Sequence, residues 1–262
     1  MFVNTRSEIV SFPGAAGDRL AARLDLPAEA PAAYAVLAHC FTCSKDTRSA
    51  TCIAKALVER GIAVLRFDFT GLGNSDGDFS NSNFSSNVAD LVAAADWLRR
   101  ERRAPQLLIG HSLGGAAVIA AAPQIPESVA VATVNAPAEP AHVVHQFEEH
   151  VAEIEARGEL QVQLGGRPFR IRKQFLDDVA MARLEPILAH LGKALIVFHA
   201  PRDATVSIDN ASRIFLAARH PKSFVSLDDA DHLLTRKADA EYVGAVLVAW
   251  ATRYLRGESA PS

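Results

Sequence analysis

Hydrophobic residues recur along this chain with two alternating periods. Glu8–Phe12 and Arg19–Leu26 are β-prone segments joined by Pro13-Gly14-Ala15-Ala16-Gly17-Asp18, which predicts an antiparallel hairpin. Tyr34–Ala38, Ile62–Phe67, Leu107–Gly110, Ser128–Val134, Ala194–His199 and Phe224–Leu227 are short apolar runs and read as buried strands. Between them lie helical stretches. Thr47–Arg60 ends at Gly61, and Asn83–Arg103 carries Val88, Leu91, Val92, Ala95 and Leu98 on one face. Leu113–Ala122, Ile208–Ala218 and Ala238–Leu255 complete the helical set. Strands alternating with helices imply right-handed crossovers and a mostly parallel sheet covered on both faces.

Pro140–His190 breaks the rhythm. It holds a charged helix, His145–Arg157, and a hairpin of Glu159–Leu164 and Pro168–Lys173 around Gly165-Gly166. The expected organisation is an α/β core, residues 1–139 and 191–262, with a small cap at 140–190. A cap there would stand over the C-terminal strand ends, where open α/β sheets bind ligands.

Composition narrows the function classes. Of the 262 residues, 49% are apolar, enough for one large core. A net charge of −3 gives no footprint for nucleic acid or an anionic membrane. Met1–Glu8 lacks the pattern of a secretory leader, and no apolar run has the length of a membrane span. The three cysteines fall between Cys40 and Cys52, so a disulfide framework is not expected and the cytoplasm is the default location.

The chemistry centres on Leu107-Leu108-Ile109-Gly110-His111-Ser112-Leu113-Gly114-Gly115. An apolar strand runs into Gly-x-Ser-x-Gly and on into a small-residue helix, the context of a nucleophile elbow. Ser112 is the candidate nucleophile. It requires a histidine base and an acid to orient that base. In the order Ser, Asp, His, the acid should follow a late strand and the histidine the last one. Asp203 follows Ala194–His199, and His232 follows Phe224–Leu227. Asp209 reads as a helix-start residue, and Asp228, Asp229 and Asp231 stand too close in sequence to His232. Asn135, after Ser128–Val134, is not an acid. Among the other histidines, His199 reads as a core residue, and His111 borders the substrate by its place in the elbow.

The oxyanion donors are expected from the N–H of Leu113 and, in the loop after Tyr34–Ala38, from the N–H of Phe41, whose ring would also wall the acyl pocket. Cys40 and Cys43 form a C-x-x-C without a second pair for zinc, and read as two small buried residues shaping that loop. Asp68-Phe69-Thr70-Gly71-Leu72-Gly73 lacks both the phosphate-loop and the dinucleotide pattern, and so reads as a structural loop. No metal or cofactor motif is present in the sequence.

These residues carry a resemblance. The chain resembles the α/β-hydrolase superfamily over nearly its whole length. In Ala38–Asp46, Leu65–Gly73, Ile109–Ala116 and His220–Asp228 it is similar to the hydrolase domain of bacterial bifunctional α/β-hydrolase/OsmC proteins. The resemblance implies an esterase-type site at Ser112, Asp203 and His232. It also implies an OsmC-like domain as a partner candidate, beside a second copy of the chain. The leading expectation is a cofactor-independent serine hydrolase cleaving carboxylic esters of a small acyl substrate through an acyl-enzyme. Thioester or amide cleavage and perhydrolysis use the same triad. A redox-linked binding protein using Cys40 and Cys43 is the alternative from another class.

Overall fold

The computed structural model describes residues 5–255; residues 1–4 and 256–262, assigned to the core from sequence, lie outside them. The first strands are β1 (Arg6–Pro13), β2 (Arg19–Leu26), β3 (Ala33–Ala38) and β4 (Ile62–Phe67). Next come β5 (Leu107–His111), β6 (Ala130–Val134), β9 (Ala194–His199) and β10 (Lys222–Ser226). They form one eight-stranded sheet in the order β1-β2-β4-β3-β5-β6-β9-β10. The β1–β2 and β2–β4 pairs are antiparallel; all pairs from β4 to β10 are parallel. This is the mostly parallel sheet that the strand–helix alternation predicts, in the arrangement the α/β-hydrolase resemblance implies.

Helices cover both faces. On one face lie α1 (Arg48–Val58) and α8 (Lys237–Leu255), with Ile53, Leu57, Val243 and Leu247 packing on Val64, Ile109 and Ile196. On the other lie α2 (Phe84–Glu101), α3 (Leu113–Ala121) and α7 (Asp209–Ala217), with Leu91, Leu98, Val118 and Ile214 on Leu65, Leu108 and Val197. Odd and even strand positions therefore feed different clusters, and the central strands must be apolar throughout. Local chemistry sets the helix starts. The Asn83 side chain accepts from the Ser86 N–H while the Ser86 hydroxyl bonds back to Asn83, a capping box that starts α2.

Residues 140–190 contain more helix than their charge pattern suggests. The single helix expected at His145–Arg157 is instead a 3₁₀ stretch, Pro140–His150, followed by α4 (Val151–Arg157). Phe147 interrupts it, with φ −146° and ψ 31°, and its side chain is buried in the core cluster. The hairpin is present as β7 (Glu159–Leu164) and β8 (Arg167–Arg172). Two further helices follow, α5 (Lys173–Met181) and α6 (Glu185–Ala189). Ile154, Val162, Phe175, Val179 and Leu188 join the same apolar cluster as α2 and α3. The segment docks through aromatic rings: Phe41 lies 5.4 Å from Phe175 and 5.6 Å from Phe79, and Phe79 lies 4.9 Å from Phe169.

Candidate active site

The site is built from loops at the C-terminal ends of β3, β5, β6, β9 and β10. The turn from β5 into α3 holds Ser112 at φ 54° and ψ −125°, a conformation that costs a non-glycine residue of order 1–3 kcal/mol. Neighbours enforce it. A Cβ on Gly110 would strike the Gly114 carbonyl, and one on Gly114 would strike the carbonyls of His39 and Ala38. The two glycines thus let β5, α3 and the β3 loop approach one another at backbone distance.

Three of the expected site residues meet there. The Ser112 hydroxyl lies 3.0 Å from His232 Nε2, and His232 Nδ1 lies 2.7 Å from Asp203 Oδ2. Because a carboxylate accepts, Nδ1 carries the proton and Nε2 presents its lone pair to Ser112. The other oxygen of Asp203 accepts from the N–H groups of Thr205 and Val206, at 2.8 and 2.9 Å. Burial would raise the Asp203 pKa, but the hydrogen bonds from His232, Val206 and Thr205 outweigh it and hold the carboxyl below its ordinary value. The alternative acids are engaged elsewhere: Asp229 with Arg236, Asp231 with Thr235, Asp228 with Ser226, and Asp209 in the first turn of α7.

Leu113 and Phe41 are both buried beside Ser112, and among the described residues neither N–H donates to a protein acceptor. Leu113 opens α3, whose N-terminal dipole favours negative charge. Ser112, His232, Phe41, Cys40 and Cys43 line one cavity of about 670 Å³, with Gln146 and Arg167 from the inserted segment and Arg202 from the β9 loop. His111, expected to touch substrate, is not among the lining residues. Its ring lies beneath His232, where Nε2 donates to the His232 carbonyl at 2.7 Å. Burial, and next the neighbouring His232, lower its pKa to about 4, so it stays neutral. His199 is fully buried as expected, with Nε2 donating to the Val206 carbonyl.

The cysteines require a correction. Cys40 and Cys43 are bonded to each other, with Cα atoms 5.4 Å apart; Cys52 is the free thiol. From sequence the pair reads as two small buried residues, since a buried free cysteine behaves as a small hydrophobe. The turn makes the difference: the Cys43 N–H bonds the Cys40 carbonyl at 3.2 Å, and Thr42 takes φ 60°. Only that local backbone brings the sulfurs together.

Several supporting residues carry no sequence signal as a group. Asp68, after β4, accepts from the Lys45 N–H at 2.6 Å, from Lys45 Nζ at 2.7 Å and from the Asn74 N–H at 2.9 Å. Buried His39 donates Nδ1–H to the Cys40 carbonyl at 2.8 Å. Together they fix the loop that presents Phe41. The glycine-rich stretch after Asp68 is structural, as expected, and its carboxylate anchors the oxyanion loop. Among the described residues, no group of three or more His, Cys, Asp or Glu side chains is placed to hold a metal ion.

A family profile described as serine aminopeptidase, S33, matches residues 29–178, more than half of the chain. The chain belongs to that α/β-hydrolase family. It is 50% identical to the esterase domain of a Rhodothermus marinus protein, over 95% of this chain and 99% of that one, with a TM-score of 0.78. It shares the fold of Est1E from Butyrivibrio proteoclasticus, solved with ferulic acid, at 20% identity, 94% and 99% coverage and a TM-score of 0.77. It is 33% identical to the rat mitochondrial palmitoyl-protein thioesterase ABHD10 over 123 residues, 45% of this chain and 40% of that protein. The chain spans less than half the length of the curated relatives it matches. The family and these neighbours make the chain a serine-hydrolase-type α/β protein. No described helix is long and apolar enough to cross a membrane.

Proposed function

We propose that the chain hydrolyses carboxylic esters through an acyl-enzyme at Ser112. The observation that carries this is the hydrogen-bonded series from Ser112 through His232 to Asp203, with Ser112, His232 and Phe41 lining a cavity sized for a small ligand. His232 Nε2 takes the proton as Ser112 Oγ attacks the acyl carbon. The N–H groups of Phe41 and Leu113 hold the oxyanion, and the dipole of α3 adds to them. Asp203 stabilises the imidazolium formed. His232 then protonates the leaving alcohol, and activates the water that cleaves the acyl-enzyme.

The identity to a solved esterase domain supports an ester as substrate. The family description names a peptidase, and an aminopeptidase must hold a protonated α-amine. Asp231, the carboxylate lining the cavity, is already bonded by the N–H and hydroxyl of Thr235, which favours the ester reading. A thioester is the second reading, favoured by the matched thioesterase segment. Residues 140–190 act as a cap that sets acyl size. An OsmC-like domain or a second copy as partner, and a cytoplasmic setting, belong to the same proposal. The resemblance to OsmC-linked hydrolases supports the first of these partners.

The test is hydrolysis of p-nitrophenyl esters of increasing chain length, and of matched thioesters, by wild type and Ser112→Ala. Turnover in the wild type that disappears in Ser112→Ala is expected. Turnover retained in the variant refutes the reading.

A further inference from the structure

Asn135 follows β6, between the strand that delivers Ser112 and the strand that delivers Asp203. It is fully buried and sits at φ 48°, a conformation that Asn tolerates better than most residues. Its N–H and both ends of its side-chain amide are engaged. Its N–H donates to the Phe198 carbonyl at 2.9 Å, and its Oδ1 accepts from the Ala200 N–H at 2.9 Å. Ala200 in turn accepts from the Asp203 N–H at 3.0 Å. Its Nδ2 donates to the carbonyls of His232, at 3.0 Å, and Asp231, at 3.3 Å. The preceding carbonyl, on Val134, accepts from the Ser112 N–H at 2.8 Å. Two consecutive residues thus reach the loops of Ser112, Asp203 and His232.

We propose that Asn135 is a positioning residue for the Ser112–His232–Asp203 series. This rests on the serine-hydrolase reading above. The His232 carbonyl receives two donors, Asn135 Nδ2 from β6 and His111 Nε2 from β5. A backbone carbonyl held from two sides fixes where the imidazole leaves the chain. The amide's other end fixes the β9 loop that carries Asp203. One rigid side chain therefore sets the separation between base and acid. Only an amide does this here: the site needs one acceptor for Ala200 and two donors for two carbonyls, and a carboxylate supplies no donor.

The test compares wild type, Asn135→Gly and Asn135→Asp. Glycine accepts the positive φ, so it removes the brace without adding strain there. Aspartate keeps the volume and the Ala200 contact but turns an acceptor toward two carbonyls. Three quantities are read: ester kinetics, Tm, and the downfield proton resonance of His232 Nδ1–H in the ligand-free protein. Expected is a roughly 10- to 100-fold loss of kcat with KM changed by less than about two-fold, as for displaced catalytic geometry. The Nδ1–H resonance should shift upfield or broaden away in both variants. A lower Tm with wild-type kcat and an unchanged resonance overturns the proposal and leaves Asn135 a purely structural residue. If Asn135→Gly yields no soluble protein, Asn135→Asp reads the same quantities. If Ser112→Ala retains turnover, the hydrolase reading fails, and the resonance still reports whether Asn135 holds His232.

Discussion

Asp68 gives the sharpest test of how the oxyanion loop is held. Its carboxylate is fully buried, and the Lys45 ammonium it pairs with is 7% exposed. Removing one partner of a buried pair leaves the other charge uncompensated, which costs about 3–5 kcal/mol. In Asp68→Asn the Lys45 ammonium keeps Asn74 Oδ1 at 3.1 Å and Asp46 Oδ2 at 3.3 Å. Those contacts place the expected loss at the lower end, about 3 kcal/mol. For a chain of this size that lowers Tm by roughly 6–12 °C. Kinetics should follow, because Lys45 belongs to the loop that presents the Phe41 N–H. Deleting an oxyanion donor costs about 10²–10³ in kcat, and a donor displaced rather than deleted should cost roughly ten-fold. Thermal melts and p-nitrophenyl ester kinetics measure both. A cycle with Lys45→Met adds a control, since the double variant should lose about 1 kcal/mol less than the sum of the singles. A Tm within about 2 °C of wild type, with additive singles, would refute the argument.

Two further outcomes follow from the site. Asp203→Asn keeps an acceptor for the Thr205 and Val206 N–H groups but presents an amide to His232. The wrong tautomer then faces Ser112, and kcat should drop by about 10⁴-fold with Tm little changed; more than a tenth of wild-type kcat would count against it. His111 is buried neutral, with its pKa lowered from 6.5 to about 4. The unfolded chain takes up a proton below pH 6.5 that the folded chain refuses. The wild type is therefore at full strength above pH 6.5 and loses about 3 kcal/mol as pH falls to 4. His111→Gln has no such proton, so urea denaturation at pH 4 and pH 7 should show its stability falling less than wild type by about that amount. Parallel curves would show that His111 is not the group responsible.

The sheet was legible because its signals are local. Each central strand is a short apolar run, and each crossover helix has its own cap or stripe, as in Asn83 and Ser86 for α2. The chain order of Ser112, Asp203 and His232 was legible for a similar reason: each follows its own strand, and the sheet order turns sequence position into proximity. What sequence did not reveal is what depends on meeting partners. The Cys40–Cys43 bond needs Thr42 at positive φ, which no propensity assigns to threonine. Phe147 leaves the helical pattern, and its side chain is buried in the core cluster. The pairing of Lys45 with Asp68 joins residues of opposite charge whose separate surroundings look like ordinary loops.

Asn135 is the instructive case. Its place after β6 marked it as a non-acid, and that reading took its chemistry as an absence. The amide is needed there because the loops after β9 and β10 present one N–H and two carbonyls to the same buried point. A buried polar group left unpaired costs about 1–3 kcal/mol. A side chain that satisfies all three partners therefore both stabilises those loops and fixes their spacing. Asp68 does the same for the oxyanion loop by accepting three donors at once. The reacting groups are thus held by saturated buried polar atoms one step behind them. Substitutions at those second positions should lower kcat without touching the residues that would meet substrate.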